Sequence, residues 1–184
     1  MTTAPGLPLT AYDRRTIAYH WLTAVLVAAQ WVGAHYIDAF PKGPLRVDAR
    51  STHIALGVAL AAVVVARLVW RSTRGSRLAA LGPAPVRRLS QGTHWLLYGL
   101  VIATLVLGVT NAWERGDSLF GLVKIPSFAP ADKALRQQIG DLHEWSANLL
   151  LILAGLHAAA GLVHGLIWKD QALRRMIPAF RPRG

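Results

Sequence analysis

Residues 142–168 read LHEWSANLLLILAGLHAAAGLVHGLIW. The run has one acid near its start, no Lys or Arg, and a Trp near each end. A bilayer is crossed by about 20 mostly apolar residues, so this stretch predicts a membrane-spanning helix. His143 and His157 lie 14 residues apart within it. At about 100° and about 1.5 Å per residue they share one helix face, roughly 21 Å apart along the axis. His164, seven residues further on, lies on the same face. Ionisable side chains in lipid are costly and point to function. This helix carries one His near the outer surface and another in the inner half of the bilayer.

Three more runs are long enough to span: 16–37, 51–70 and 93–113. Tyr12, Tyr36, Trp70, Trp95, Trp113, Trp145 and Trp168 lie near run ends, as in an aromatic belt. Trp21 and Trp31 lie deeper, where a belt does not explain them. Of the 184 residues, 53% are hydrophobic and 16% charged, against about 25% charged in globular chains. Such a composition excludes a disordered chain and an ordinary soluble enzyme. The absence of cysteine excludes disulfides, thiolate-bound zinc or iron–sulfur clusters, Cys nucleophiles and thioether-attached haem.

The formal charge is +11, and its distribution sets the topology. The N-terminus, the 67–92 connection and the tail after Trp168 carry 13 Lys and Arg against 2 acids. The 36–52 and 111–144 connections carry 7 of each. The whole excess therefore lies on one side, which by the positive-inside rule faces the cytoplasm together with both termini. The basic clusters serve topology and headgroup contact, so nucleic acid is not expected as a partner. The first run follows Arg14 and Arg15 without a small-x-small cleavage site and reads as an uncleaved first helix. Gly82-Pro83-Ala84-Pro85 marks the turn between the second and third helices. The long outer loop holds Pro126 and Pro130, and residues 131–140 predict a short surface helix with Asp132 near its start.

His53 opens the second run at the depth of His143, and His20 opens the first near the depth of His157. Two imidazoles facing each other at each of two depths suit two haem b groups, flat apolar macrocycles held between bundle helices. Each iron takes one imidazole per face, which leaves no open position and favours electron transfer. The expected fold is all-α: one domain over 1–184, an integral membrane four-helix bundle with a di-haem core. Gly57, Gly108, Ala154 and Gly161 leave room for a porphyrin, or equally for close helix packing. Arg67 shares the face of His53 one haem-depth lower, where it either meets a propionate of the inner haem or snorkels to headgroups. Arg50, one turn before His53, either serves the outer haem the same way or is an interface charge. His35, with Asp38 close by, reads as a satisfied polar group. The spans hold no interior Asp or Glu for a proton relay, and the pairs are too far apart to share one ion. No catalytic residue is assigned.

Several segments carry a family resemblance: Ile17-Ala18-Tyr19-His20-Trp21-Leu22, Thr52-His53-Ile54-Ala55-Leu56-Gly57, Leu142-His143-Glu144-Trp145-Ser146-Ala147-Asn148 and Gly155-Leu156-His157-Ala158-Ala159-Ala160. With the closing Leu162-Val163-His164-Gly165-Leu166-Ile167-Trp168-Lys169-Asp170 and Leu173-Arg174-Arg175-Met176, the chain resembles the bacterial cytochrome b561 family over about residues 12–180. The resemblance implies a four-helix di-haem cytochrome of the bacterial inner membrane, with His20, His53, His143 and His157 as axial ligands. The most similar type is an enzyme, a superoxide oxidase, which passes electrons from superoxide outside the cytoplasm to ubiquinone. It puts His164 and Trp168 at a quinone site near the inner haem, although Trp168 also suits an interfacial anchor. His94 is a weaker quinone candidate. Lys42, Arg46, Arg50, Lys124, Lys133 and Arg136 would form an outer patch drawing superoxide or another small donor, on a side with as many acids as bases. The alternative is an electron-transferring cytochrome b subunit of a hydrogenase or formate dehydrogenase type complex. The bilayer is a partner in either case, and the oligomeric state stays open.

Overall fold

A computed structural model of the chain describes residues 11–76, 78–79, 81–129 and 132–177. Asp13 caps the first helix, α1 (Arg14–Ile37), by accepting from the Thr16 N–H at 2.9 Å and the Thr16 hydroxyl at 2.6 Å. The same carboxylate accepts from the Ser76 N–H, the Ser76 hydroxyl and Trp70 Nε1, so it ties the start of α1 to the end of α2 (Pro44–Thr73). Burial raises the Asp13 pKa, but the hydrogen bonds from Thr16 and Ser76 outweigh it and hold the carboxyl well below the ordinary range.

Gly82, at φ 77°, and Pro83 turn the chain into α3 (Ala84–Arg115). α3 closes on Gly116, left-handed at φ 66°. The Gly116 N–H bonds to the Trp113 carbonyl and the Asp117 N–H to the Ala112 carbonyl, a Schellman end that needs a residue without Cβ penalty. Two short strands follow, β1 (Ser118–Leu119) and β2 (Val123–Lys124), antiparallel with Ser118 opposite Lys124. Phe120 and Gly121 between them are both at positive φ, as a tight hairpin requires. The buried Ser51 hydroxyl anchors this hairpin on α2, accepting from the Phe120 N–H at 2.8 Å while it donates to the Val47 carbonyl at 2.7 Å.

The helix expected over 131–140 is not separate. α4 runs unbroken over Lys133–Leu162, with Asp132 as its N-cap, accepting from the Leu135 N–H. Pro130 and Ala131 lie outside the described residues. α2 and α3 likewise begin before their apolar runs, because apolarity marks the part of a helix in lipid and not where its hydrogen bonding starts. α4 passes into a π-helical turn, Val163–Ile167.

Among the described residues four helices are long and apolar enough to cross a membrane, and the fold is an all-α membrane bundle with one small hairpin. α1 packs along α2 and α3 along α4, and the two helix pairs meet more sparsely. At mid-height Leu60, Val64, Val101 and Leu150 are buried, flanked by Leu26, Val27, Leu68, Leu97, Leu100 and Leu105. Val58, Val65, Ile102, Val109 and Ile152 face outward instead, the pattern of a bundle whose solvent is hydrocarbon. The deep tryptophans tie segments together. Trp31 Nε1 donates to Asn148 Oδ1 at 2.8 Å, joining α1 to α4, and Trp21 Nε1 donates to the Met176 carbonyl.

Candidate cofactor sites

Four imidazoles meet in two pairs, one on each side of the apolar layer. At the loop end, His53 of α2 and His143 of α4 have ring centres 6.2 Å apart, with planes at 88°. At the basic end, where the described residues begin and end, His20 of α1 and His157 of α4 have centres 6.1 Å apart, with planes at 73°. α4 supplies one member of each pair because 14 residues bring a helix back to the same face. All four side chains are half-buried. Among the described residues no three His, Asp or Glu side chains converge as a bare metal ion would require.

These spacings fit an iron shared between two imidazoles. A metal–imidazole bond of about 2 Å on each side, plus the ring radii, puts two such ring centres about 6 Å apart. At the loop end the surroundings agree. His143 Nδ1 lies 3.1 Å from the Thr104 carbonyl, which can accept only if the proton is on Nδ1, leaving Nε2 as the lone-pair nitrogen. The Thr104 hydroxyl bonds Ser146, whose hydroxyl donates to the His143 carbonyl. A Cβ on Gly108 would stand 3.0 Å from His143 Cε1, so the absent side chain leaves the ring its place. His53 Nδ1 is buried without a partner among the described residues. Gly57 serves differently from the expected porphyrin clearance. A Cβ there would meet Gln30 Nε2 at 3.1 Å, and that amide donates to the His53 carbonyl at 2.9 Å. Gly57 therefore lets α1 approach α2. Gly161 faces Leu173 of the tail.

At the basic end Arg67 Nη2 lies 3.2 Å from His20 Nδ1, with the guanidinium 5.2 Å from the centre of the Tyr98 ring. Arg67 thus stands within the bundle beside an imidazole. His94 packs on His157 at 5.3 Å, with its Nδ1 on the Ser90 carbonyl at 2.7 Å. Sequence reasoning did not single out Tyr98, although it follows His94 by one turn on the same face. Its signal was that spacing.

Arg50 is taken up by Asp117 at 3.2 Å, and Arg115 reaches the same carboxylate at 3.7 Å. Arg136 Nε pairs at 3.1 Å with Glu114, which is 0% exposed. Arg115, Lys124 and Arg136, with Gly116, Pro126 and Ser127, line an open cleft of about 560 Å³. Of the expected outer patch only Lys124 and Arg136 reach it. Arg46 pairs with Asp38 at 3.4 Å, and Lys42 and Lys133 are not in the lining. Arg115 joins the cleft unforeseen. Asp117 and Glu114 pair with Arg115 and Arg136, and among the described residues no acid pairs with Lys124, so the lip keeps a net positive charge although this end of the chain balances overall. His35 is exposed, with Nδ1 on the Trp31 carbonyl at 2.8 Å, and so is satisfied within its own helix rather than between helices.

His164 and Trp168 come together at the basic end, with ring centres 4.5 Å apart and planes at 82°. His164 Nδ1 bonds the Asp170 carboxylate.

The family model of prokaryotic cytochrome b561 matches residues 11–179. A probable superoxide oxidase of Yersinia pestis is 28% identical over 173 residues, covering 92% of this chain and 97% of its own. Cytochrome b561 homolog 1 of Escherichia coli is 28% identical over 171 residues, covering 91% and 97%. A cytochrome b562 of Cereibacter sphaeroides is 27% identical over 188 residues, covering all of both chains. The paired imidazoles thus have a context in which haem b is the expected group, and the chain belongs to the prokaryotic cytochrome b561 family of membrane electron-transfer proteins.

Proposed function

We propose that the chain carries single electrons through the bacterial inner membrane on two haem b groups, one held by His53 and His143 and the other by His20 and His157. It takes them from superoxide at the loop end and delivers them to ubiquinone at the basic end. The carrying observation is the two imidazole pairs at two depths, each sharing α4. Bound between these imidazoles, haem would supply one-electron transfer. Arg67, beside His20, is the cation available to a propionate there; Arg50, held by Asp117, is less available to the other.

The basic end faces the cytoplasm by its charge. At the loop end the cationic lip of Arg115, Lys124 and Arg136 raises the encounter rate of a small anion. Two superoxide ions lose one electron each and leave as oxygen. The apolar layer of Leu60, Val64, Val101 and Leu150 separates the two levels. At the basic end ubiquinone gains two electrons and two protons to become the quinol. Trp168 offers its ring N–H to a quinone carbonyl, His164 does so through Nε2 in its protonated form, Nδ1 being held by Asp170, and His94 lies on the same side. Superoxide is favoured as donor by the cationic cleft and by the name of the Yersinia relative.

The test is the purified chain in detergent, given a superoxide source and a short-chain ubiquinone, with haem-to-protein ratio and quinol formation recorded. Two haems per chain and superoxide-dependent quinol support the reading. Haems that reduce without any turnover of superoxide would make the chain an electron-carrying subunit for a partner. A reduced-minus-oxidised spectrum without b-type bands would end the redox reading.

A further inference from the structure

α4 does not end in an ordinary helical turn. Val163–Ile167 form a π-helical turn, a wider form that recurs at functional sites. Just beyond it Lys169 takes φ 53°, where Cβ crowds the following carbonyl. Together these irregularities fold the chain back. The Asp170 N–H reaches the His164 carbonyl at 3.0 Å, and the Asp170 carboxylate accepts from His164 Nδ1. Gly165 makes the fold-back fit, because a Cβ there would stand 2.8 Å from the Cβ of Leu173. The tail is tied down further along. Trp21 Nε1 donates to the Met176 carbonyl, the Tyr12 N–H to the Arg175 carbonyl, and Arg175 Nη1 to the Ala79 carbonyl. Burial raises the Asp170 pKa, but His164, the Ala172 N–H and the charge of Arg175 bring it below its ordinary value, so the carboxylate is charged. Trp168 covers the imidazole edge-on.

We propose that Asp170 is a positioning residue for quinone reduction: by holding the Nδ1 hydrogen of His164 it reserves Nε2 for the quinone oxygen and stabilises the imidazolium that delivers a proton there. This rests on the quinone reading of His164 given above. A carboxylate on one ring nitrogen fixes the tautomer and the orientation of the other. For each proton delivered here, the Nε2–H bond breaks as the quinol O–H bond forms, and the ring stays neutral with its Nδ1 hydrogen on Asp170. Water at the basic end restores the Nε2 proton, and the electrons arrive from the donor through the chain's electron-transfer route. A conformation as strained as Lys169, placed between Trp168 and Asp170, is what a site holding two groups in register would retain.

The experiment uses the full haem-loaded chain labelled with ¹⁵N-histidine, the His164 signal being assigned by its loss in His164→Ala. The wild type is expected to show the Nδ1–H tautomer at His164. Asp170→Asn should move it toward the Nε2–H form that free imidazole prefers, and Asp170→Glu should keep the wild-type form. In parallel, short-chain ubiquinol formation should fall roughly 10- to 100-fold in Asp170→Asn, recover in part in Asp170→Glu, and leave haem content unchanged. Slow turnover in His164→Ala beside normal turnover and an unmoved tautomer in Asp170→Asn overturns the positioning role alone. Normal quinol formation in His164→Ala overturns the quinone reading, and the role of Asp170 with it.

Discussion

Gly108 of α3 and His143 of α4 are matched by subtraction: a Cβ on the glycine would lie 3.0 Å from the imidazole Cε1. Carbon atoms prefer about 3.5–4.0 Å, so Gly108→Ala must push the ring, and Gly108→Leu must displace it. The expected outcome is weakened haem binding at the loop end with the basic-end haem retained. Haem-to-protein ratio and the two components of a redox titration check this. An unchanged ratio in Gly108→Leu would remove the steric argument.

His143→Ala takes away one member of the loop-end pair and leaves His20 and His157 untouched. The purified variant should keep one b-type component and lose the other. His157→Ala should show the reverse loss. Equal loss of both components in each variant would contradict two independent pairs.

Lys124 lines the cleft, and among the described residues no acid pairs with it. Lys124→Glu should lower the rate of haem reduction by superoxide several-fold at low salt, with the difference shrinking as ionic strength rises. Reduction by an uncharged chemical reductant should not change. Arg136→Ala differs in kind, because it strips the buried Glu114 of its ion partner. It should cost stability on the order of 1–3 kcal/mol, read as an earlier thermal loss of the haem band.

Asp13 gives a pH-dependent prediction. Its folded-state pKa lies below the unfolded value, so the stability it contributes is fully present above the unfolded pKa of about 4 and is lost as pH falls toward the folded value. Asp13→Ala should therefore lower the unfolding temperature at pH 7, the missing cap being worth about 1 kcal/mol. The gap between the two proteins should narrow as the solution is acidified from pH 5 to pH 3. A gap that widened in acid would reverse the assigned sign.

The bundle and the pairing of His20 with His157 and of His53 with His143 were legible because span length, charge asymmetry and a 14-residue spacing are properties of the chain itself. Contacts that depend on how two helices roll against each other were not. His94 reaches His157, and Gly57 receives Gln30, through helix rotations that no periodicity records. Arg50 was open to a haem in the sequence, but its partner Asp117 arrives on a hairpin of two-residue strands, too short to leave an alternating pattern. The resemblance drew His164 and Trp168 toward one site. The fold-back that brings Asp170 to His164 depends on a π-helical turn and a left-handed lysine, neither of which has a sequence signature.

Under the proposed function, the buried layer of Leu60, Val64, Val101 and Leu150 also makes electron transfer sensitive to voltage. Side chains this apolar offer nothing to hold water or an ion, so much of the electric field across the membrane falls over them. Each elementary charge moved through 100 mV exchanges about 2.3 kcal/mol with that field. Under the proposed direction of flow, electrons pass inward against a negative interior, so an energised cell slows the traffic and a depolarised one releases it.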